Sequence, residues 1–410
     1  MTLERTIDPD HVGLDPKRLA RIETHFARYV DDGRLPGWHI AVTRCGQVAY
    51  SATYGRRDVA SGAPVEADTL WRIYSMTKPV TSVAAMMLWE EGHFELTDEI
   101  SRWLPAFADV RVYDKGSVLR PYTVPAVEPI RVWHLLSHTS GLTYGFFQES
   151  VVDGLYRAAG FELDPERELD LAASCDAWAN LPLLFQPGSK WGYGVSTDVL
   201  GRLVEVISGQ TLAEFFAERI LGPLKMTDTR WWVDDADAPR LASLYSAHPE
   251  TGKAVPASRM GERARHEPAM LAGGHGLIST AADYHRFTQM LLREGELDGV
   301  RLLGPHTVRY MTRNHLPGGV DLDAFSSGGF AETTFKGIGF GLGFAVVENP
   351  VPWKVPSSVG QYYWGGLAST AFWVDPVEQL TAMLFTQLVP SSRWPLRPQL
   401  RQLVYSALVD

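Results

Sequence analysis

The chain has 410 residues, of which 45% are hydrophobic and 21% charged, and its formal net charge is −10. These proportions are typical of globular proteins, and the length predicts two domains or one elaborated domain. The acidic balance argues against nucleic acid as a partner, because a nucleic-acid-binding face is basic. The two cysteines, Cys45 and Cys175, are too few for a disulfide framework or a Cys-rich metal site.

The first ten residues, MTLERTIDPD, have neither the apolar core nor the small-residue cleavage pattern of a signal peptide. No uninterrupted apolar run reaches the length needed to span a bilayer. We therefore expect a cytoplasmic protein without a membrane partner, as a monomer or a homo-oligomer.

The first elements in chain order are a helix and a hairpin. Asp15 and Pro16 suit a helix start, and Leu19, Ile22, Phe26 and Val30 follow on one face. Residues 38–55, WHIAVTRCGQVAYSATYG, combine two β-rich runs around a Gly46 turn and predict a hairpin.

The stretch WRIYSMTKPV, residues 71–80, leads into a helix that begins at Met76 and stops at Gly92. Ser75 therefore lies at or just before a helix N-terminus, and Lys78 lies about one turn later. Pro79 is compatible only with a first turn.

The middle of the chain is predicted to be helical, after a loop at residues 111–131 that contains three prolines. Ser196 is predicted to cap a helix that ends at Gly209. Two further helix starts carry a capping-box pattern, Thr211 with Glu214 and Thr280 with Asp283.

The last part of the chain begins with a glycine-rich, irregular stretch, residues 313–338. Three strand-like runs follow, GFGLGFAVV, STAFWVDP and LTAMLFTQL, and a final helix, PLRPQLRQLVYSALV. Short connections favour neighbouring strands, so both ends of the chain are expected to build one sheet.

The predicted fold is α/β (α+β), with one antiparallel sheet flanked by the terminal helices and an inserted, mainly helical domain. Residues 1–76 and 230–410 would form the discontinuous sheet domain, residues 77–229 the helical domain, and the active site would lie between them.

Ser75 and Lys78 form the only S-x-x-K of the chain. A serine hydroxyl is a poor nucleophile until a base takes its proton. A lysine is such a base only when neutral, so its usual pKa of about 10.4 must be lowered by burial or nearby positive charge. Serine and lysine three residues apart on a helix share a face, but the bare pattern is also that of an ordinary helix start.

Four further stretches carry a resemblance to a known family: HLLSHTSGLTYG (134–145), KWGYGVSTDVLGRLVE (190–205), GGHGLIST (273–280) and YYWGGLASTAFWVDP (362–376). With S-x-x-K they resemble the serine β-lactamase and penicillin-binding-protein superfamily. More closely, the chain resembles the family VIII carboxylesterases and related acyltransferases, which share the class C β-lactamase fold. This resemblance implies a β-lactamase/transpeptidase-like fold.

The resemblance also implies catalytic roles and no cofactor. Ser75 would attack the acyl carbonyl, while Lys78 and Tyr193 would share the proton transfers. The oxyanion would lie between the backbone N–H groups of Ser75 and Leu367, the latter following Trp-Gly-Gly on a sheet edge.

Two departures from the β-lactamase motifs favour an uncharged ester. Val195 stands where β-lactamases have the asparagine of Tyr-x-Asn, and Trp364 where they have the lysine of Lys-Thr-Gly. A substrate pocket would be lined by Tyr144, Phe146, Trp191, Val195, Trp364, Gly365 and Gly366. Each aromatic residue among them is equally compatible with a place in the core.

Other patterns point to no second chemistry. His134 and His138 are four residues apart but lack the glutamate of H-E-x-x-H, so no metal site is expected. GIGFGLG precedes a strand rather than a helix, unlike a dinucleotide-binding loop. His275 is interpreted as a packing residue in a glycine turn. The sequence has no G-x-S-x-G elbow, which argues against an α/β-hydrolase.

The sequence therefore predicts a serine carboxylesterase that hydrolyses small, short-acyl esters through a Ser75 acyl-enzyme, or transfers the acyl group to an alcohol. Two alternatives stay open: a β-lactamase or D-Ala-D-Ala carboxypeptidase, and a non-catalytic binding or assembly protein of the same fold. Turnover of nitrocefin would favour the former alternative.

Overall fold

A computed structural model describes residues 2–163, 169–326 and 335–409. The α-helices are α1 Pro16–Asp31, α2 Thr77–Glu90, α3 Val132–Leu136, α4 Val151–Ala158, α5 Leu171–Ala179, α6 Ser196–Ser208, α7 Leu212–Phe216, α8 Ser258–Glu262, α9 Ala281–Leu292, α10 Pro305–Met311, α11 Leu322–Phe325, α12 Pro350–Trp353 and α13 Leu396–Tyr405.

The strands are β1 Gly37–Arg44, β2 Gln47–Asp58, β3 Ala63–Pro64, β4 Trp71–Arg72, β5 Arg111–Ser117, β6 Arg120–Pro125, β7 Tyr245–Ala247, β8 Ala254–Pro256, β9 Ile278–Ser279, β10 Glu296–Leu297, β11 Val300–Arg301, β12 Ile338–Phe340, β13 Ala345–Val347, β14 Tyr362–Gly365, β15 Ala371–Asp375, β16 Leu380–Phe385 and β17 Leu388–Val389.

Both ends of the chain build the main sheet, as predicted. Its strand order is β12-β13-β14-β15-β16-β1-β2-β3, with antiparallel neighbours throughout. The N-terminal hairpin turns at Cys45 and Gly46, and β1 joins the C-terminal strands where His39 lies opposite Phe385. The sheet strands fall inside the two segments of the predicted sheet domain, whose limits stay a prediction.

The two faces of the sheet bury different side chains because successive residues of a strand point to opposite faces. In β15, Trp373 packs with the terminal helices α1 and α13, whereas Phe372 packs on the opposite side with α9. Asp15 caps α1 by accepting hydrogen bonds from the N–H groups of Lys17 and Arg18. The predicted cap of the first helix is therefore confirmed.

Helix α2 is the centre of the larger hydrophobic cluster. All its residues from Thr77 to Leu88 are buried, and the polar Lys78, Thr81 and Ser82 are buried together with the apolar ones. Leu200 and Leu203 of α6 belong to the same cluster, and α6 ends at Gly209 as predicted. The structure thus places the S-x-x-K motif at the entrance of a buried helix.

The predicted caps of the later helices differ in outcome. Thr211 and Glu214 form the reciprocal capping box of α7, and Thr280 caps α9. Ser196 is the first residue of α6 and not its cap. Its hydroxyl instead forms a hydrogen bond with that of Ser140 at 2.8 Å. This bond to a distant residue replaces the predicted bond to the N-terminus of α6.

Three further expectations are corrected. Residues 111–125 form the β5–β6 hairpin rather than a loop, because prolines are tolerated in a two-stranded ribbon whose outer edges need no partner. GFGLGFAVV is divided between β12 and β13, since Gly343 adopts a left-handed φ of 101° between them. Strand β14 lies between β13 and β15, so Leu367 follows the end of an inner strand and not a sheet edge.

The glycine-rich stretch is described only in part, because residues 327–334 lie outside the described residues. Its described portion contains a short 3-10 turn, Pro317–Gly319, and α11. Among the described helices, none combines the length and the apolar character needed to cross a membrane.

Candidate active site

Ser75 lies in a single 3-10 turn, Tyr74–Met76, that leads directly into α2. Tyr74 has a φ of 44°, which non-glycine residues seldom adopt, so surrounding contacts must hold this turn. The Leu277 backbone supplies two of them: its carbonyl accepts from Ile73 N–H at 3.0 Å, and its N–H donates to Thr77 Oγ1 at 3.1 Å. Ser75 itself is half-buried.

Lys78 is 2% exposed, and its amine contacts three oxygen atoms. Nζ lies 3.4 Å from Ser75 Oγ, 2.9 Å from the Tyr144 hydroxyl oxygen and 2.8 Å from the Gly274 carbonyl oxygen. An ammonium has three protons to donate, so this geometry satisfies each of them. The longest of the three contacts is the one to the serine.

Tyr193 also lies beside the amine. Lys78 Nζ is 4.6 Å from the centre of the Tyr193 ring, and the Trp364 indole N–H donates to the Tyr193 hydroxyl oxygen at 3.2 Å. A donor at that oxygen stabilises negative charge on it. The structure therefore brings Tyr193 to Lys78 and its neighbour Ser75, although Tyr193 is remote from both in the chain.

The loop of residues 134–145 holds the Tyr193 segment in place. The N–H of Gly192 donates to the His138 carbonyl at 2.9 Å. A Cβ atom at Gly194 would overlap the Leu142 carbonyl, so only glycine permits this close approach of two backbones. Two of the motif stretches that carry the family resemblance thus pack directly against each other.

Asp198 is connected to Lys78 by hydrogen bonds through the backbone of Gly274, in the GGHG segment. Its carboxylate accepts a hydrogen bond from the Gly274 N–H at 2.8 Å, and the Gly274 carbonyl in turn accepts from Lys78. The Asp198 side chain is 2% exposed, and its Oδ1 lies 3.9 Å from His275 Nδ1. No sequence pattern considered above singled out this carboxylate.

The turn after β14 is packed against the segment that carries the serine. The Gly366 N–H donates to the Thr370 carbonyl at 2.9 Å, and Arg397 donates to the carbonyls of both residues at 2.8 Å. A Cβ atom at Gly366 would overlap the Ile73 carbonyl, two residues before Ser75. This turn contains Leu367.

The predicted pocket residues occupy two different places. Tyr144, Phe146 and Val195 line a cavity of about 460 Å³. Trp191 is fully buried behind Tyr193, with ring centres 6.0 Å apart, while Trp364 contacts the Tyr193 hydroxyl. Gly365 lies against Arg397, where a Cβ atom would overlap the guanidinium.

Burial keeps several groups around the site neutral. It raises the pKa of the Tyr144 hydroxyl well above its usual range, and the nearby Asp198 and Tyr193 raise it further. It also lowers the pKa of His138 well below its usual value, with Lys78 adding to the effect. The pKa of His275 is also lowered by loss of hydration, although 42% of its side chain is exposed and Asp198 opposes the shift.

The two histidines of the 134–145 loop have structural contacts. His134 Nδ1 accepts a hydrogen bond from the Arg131 N–H at 3.0 Å, and His138 Nε2 lies 3.4 Å from Thr197 Oγ1. Within the described ranges, no group of three His, Cys, Asp or Glu side chains has the arrangement of a metal site. His275 lines the cavity and is not a packing residue alone.

The fold is an antiparallel sheet, and a serine, a lysine and a tyrosine come together beside it. Comparison of the chain with known protein families identifies the class of protein to which it belongs. The chain belongs to the Beta-lactamase family, which matches residues 22–406. The predicted β-lactamase/transpeptidase-like fold is therefore confirmed.

Three relatives are informative. Esterase EstB of Burkholderia gladioli is 32% identical over 421 residues, covering 98% of this chain and 99% of EstB. Lovastatin esterase of Penicillium rubens is 32% identical over 306 residues, covering 72% of this chain and 73% of that protein. The structure of EstCE1, a hydrolase with promiscuous acyltransferase activity, is similar with a TM-score of 0.78 and 29% identity, covering 95% of this chain and 99% of EstCE1.

Proposed function

We propose that the protein is a serine carboxylesterase of the family VIII type, which hydrolyses short-acyl esters through an acyl-enzyme on Ser75. The observation that carries the proposal is the contact of the buried Lys78 amine with Ser75 Oγ. The relatives that are named esterases, and EstCE1 with its acyltransferase activity, support an enzyme that acts on esters.

In the proposed acylation step, Ser75 Oγ attacks the ester carbonyl carbon. Its proton passes to Tyr193, which acts as a phenolate beside the Lys78 ammonium; the lysine nitrogen lies 4.6 Å from the centre of the Tyr193 ring. The tetrahedral oxyanion accepts hydrogen bonds from the N–H groups of Ser75 and Leu367. The bond to the leaving oxygen then breaks, and Tyr193 protonates the departing alkoxide.

In the proposed deacylation step, Tyr193 takes a proton from water, and the resulting hydroxide attacks the acyl carbon. The bond to Ser75 Oγ breaks, Tyr193 passes the proton it took from water to that oxygen, and the carboxylic acid leaves. An alcohol in place of water would give a new ester by the same route. Which product forms depends on which acceptor reaches the acyl-enzyme first.

The surroundings of Tyr193 favour an ester over a β-lactam. Trp364 has no charge with which to bind the carboxylate of a β-lactam, and its indole N–H is engaged by the Tyr193 hydroxyl. Val195 cannot donate the amide hydrogen bonds of an asparagine. No contact of the described site favours the β-lactamase or the non-catalytic alternative.

The proposal is tested by hydrolysis of p-nitrophenyl butyrate by the wild type, by Ser75→Ala and by Ser82→Ala. Ser82 is a buried serine of the same helix and serves as the matched control. We expect only Ser75→Ala to lose activity, and mass spectrometry of the quenched wild type to find a butyryl group on Ser75. Equal activity of the two variants, or a butyryl group elsewhere, would refute the assignment.

A further inference from the structure

The cavity of about 460 Å³ that Tyr144 lines has polar side chains in its wall. Ser174 of α5 and Asp198 of α6 both line it and are 2% and 1% exposed. His275 lines it as well, with 42% of its side chain exposed. We call these three residues the polar wall. A buried polar group without a partner is costly, so the hydrogen bonds that the polar wall lacks indicate what the cavity binds.

The Ser174 hydroxyl has no hydrogen-bond partner among the described residues. It belongs to α5, which packs against α6. Burial raises the pKa of the neighbouring Cys175 thiol, and the Asp198 carboxylate is the first of the charges that raise it further. Ser174 and Asp198 therefore occupy neighbouring parts of the cavity wall, and the serine hydroxyl can both donate and accept a hydrogen bond.

The Asp198 carboxylate uses only part of its capacity as an acceptor. An ionised carboxylate has about four lone-pair positions. Within the described parts of the chain its one hydrogen-bond donor is the Gly274 N–H, 2.8 Å from Oδ1. His275 Nδ1 lies 3.9 Å from the same oxygen, which is too far for a hydrogen bond, but a third oxygen atom can lie within hydrogen-bonding distance of both. The pair therefore suits a group that donates to Asp198 and accepts from His275.

The charges in the buried wall favour a neutral ligand group. Arg72 is the other charged side chain in the buried part of the described lining. It donates to the carbonyls of Ala242 and Gly261 and to the Gln387 side chain, all of them uncharged. The guanidinium and the Asp198 carboxylate thus balance each other in net charge. An ammonium or a carboxylate on the ligand would add a buried charge without a counterpart, whereas a hydroxyl adds none.

We propose that the polar wall binds a hydroxyl group that the substrate carries in addition to its ester, as in a monoester of a diol or an ester of a hydroxy acid. The hydroxyl donates to Asp198 and accepts from His275 or Ser174. The inference rests on the proposed esterase function and deepens it, since it names the substrate class.

The position of the polar wall sets the length of the substrate. The single residue Gly274 joins Asp198 to the Lys78 amine, because its N–H donates to the carboxylate and its carbonyl accepts from the lysine, each at 2.8 Å. The carboxylate and the amine therefore lie within roughly 10 Å of each other. A spacer of about six carbon atoms between the ester and the hydroxyl covers this distance.

The first experiment compares two pairs of esters in which a methyl group replaces the hydroxyl. The hydroxyl is on the alcohol part in 6-hydroxyhexyl butyrate, compared with heptyl butyrate. It is on the acyl part in p-nitrophenyl 6-hydroxyhexanoate, compared with p-nitrophenyl heptanoate. We expect the hydroxy ester to have a kcat/KM about tenfold or more higher in at least one pair, and that pair identifies the part of the ester that enters the cavity. A preference for the methyl compound in both pairs would overturn the proposal.

The second experiment removes single members of the polar wall. Ser174→Ala and His275→Phe should each lower the preference for the hydroxy ester about fivefold, the effect of one lost hydrogen bond. Ser82→Ala is the matched control, because Ser82 is equally buried but lies outside the described lining. It should leave the preference as it is in the wild type. An unchanged preference in either folded variant of the polar wall would show that the site is wrongly assigned.

A binding measurement separates this proposal from the esterase assignment. We expect hexane-1,6-diol to shift the imidazole NMR signals of His275, which are assigned by their loss in His275→Phe, and 1,6-dimethoxyhexane to leave them in place because it has no O–H to donate to Asp198. If no ester is hydrolysed but the diol has this effect, the esterase function fails and the hydroxyl site stands. If esters are hydrolysed but the diol leaves the signals unchanged, the hydroxyl site is wrong.

Discussion

At the scale of single residues, the centre of the site is the Lys78 amine, which contacts two tyrosine side chains, Tyr144 and Tyr193. The Tyr144 hydroxyl accepts a hydrogen bond from Lys78 at 2.9 Å, while Tyr193 has its ring beside the amine and its hydroxyl beside Trp364. Burial keeps Tyr144 in its neutral form because it raises the pKa of the phenol. The two tyrosines therefore have different roles: Tyr144 positions the lysine, and Tyr193 is the proposed proton carrier.

We predict that Tyr193→Phe lowers kcat/KM for p-nitrophenyl butyrate about 10²- to 10⁴-fold, the usual effect of losing a general acid–base. Tyr144→Phe should lower it only about fivefold, because one hydrogen bond of ~1 kcal/mol to the lysine is lost. Steady-state kinetics of both variants, with circular dichroism as the fold control, checks this order. A larger loss in Tyr144→Phe would reverse the two assignments.

Asp198 provides a second prediction at this scale. Desolvation lowers the pKa of His275, and the Asp198 carboxylate partly opposes that shift by favouring the imidazolium. Asp198→Asn removes the negative charge and keeps an oxygen that can accept from the Gly274 N–H. We expect the pKa of His275 to fall further in this variant, as measured by NMR titration.

Asp198→Ala is the matched comparison, because it removes both the charge and the acceptor for Gly274. It should lower kcat more than Asp198→Asn does, since the Gly274 carbonyl is one of the three partners of Lys78. A rise in the pKa of His275 in Asp198→Asn would contradict the electrostatic role given to this carboxylate.

At the scale of secondary-structure elements, the site depends on the close approach of a turn and a helix start. The turn after β14 touches the backbone just before Ser75, and Arg397 of α13 fixes it through two carbonyl groups. A terminal helix thus contributes to the geometry of the proposed oxyanion site. This contact joins the C-terminal strands to the segment that begins α2.

We predict that Gly366→Ala displaces this turn, because its Cβ would overlap the Ile73 carbonyl. The free energy of unfolding should fall by ~1–3 kcal/mol, and esterase activity should fall with it. Gly261→Ala is the control, since its Cβ would meet only ordinary contacts, the nearest at 3.5 Å from Leu244 Cβ. Urea unfolding and kinetics compare the two; equal behaviour would exclude a tight fit at Gly366.

At the scale of the whole molecule, the interior contains histidines that folding keeps neutral. Burial lowers the pKa of His39, His134 and His285 to about 4, with neighbouring arginines adding to the effect at His134 and His285. An unfolded histidine has a pKa of about 6.5. Between these values the unfolded chain binds more protons than the folded one, so acid favours unfolding.

We therefore predict that the free energy of unfolding decreases as the pH falls from about 6.5 to about 4, by up to ~3 kcal/mol for each histidine. Urea unfolding at pH 7 and pH 5 measures the difference. His39→Gln should reduce the pH dependence, because one of the protonation sites is gone. A stability that is constant or that increases on acidification would contradict the prediction.

The sequence by itself determined the features that are local or that repeat along the chain. Ser75 and Lys78 fall together at a helix start because three residues of helix bring them to one face. The Cys45–Gly46 hairpin, the Asp15 cap and the Thr211 capping box are likewise set within a few residues. The family motifs also indicated Tyr193 as a catalytic residue. Its distance from Lys78, however, could be read only from the three-dimensional structure.

Only the tertiary structure decided which distant groups meet at the site. Tyr144 and Gly274, which contact Lys78, lie 66 and 196 residues from it in sequence, and no local pattern relates such separations. The same holds for Asp198, for the cavity and for the Ser196 hydroxyl, which bonds to Ser140 instead of capping its helix. These features follow from how the sheet and the helices pack, because packing alone brings residues that are remote in the chain within hydrogen-bonding distance.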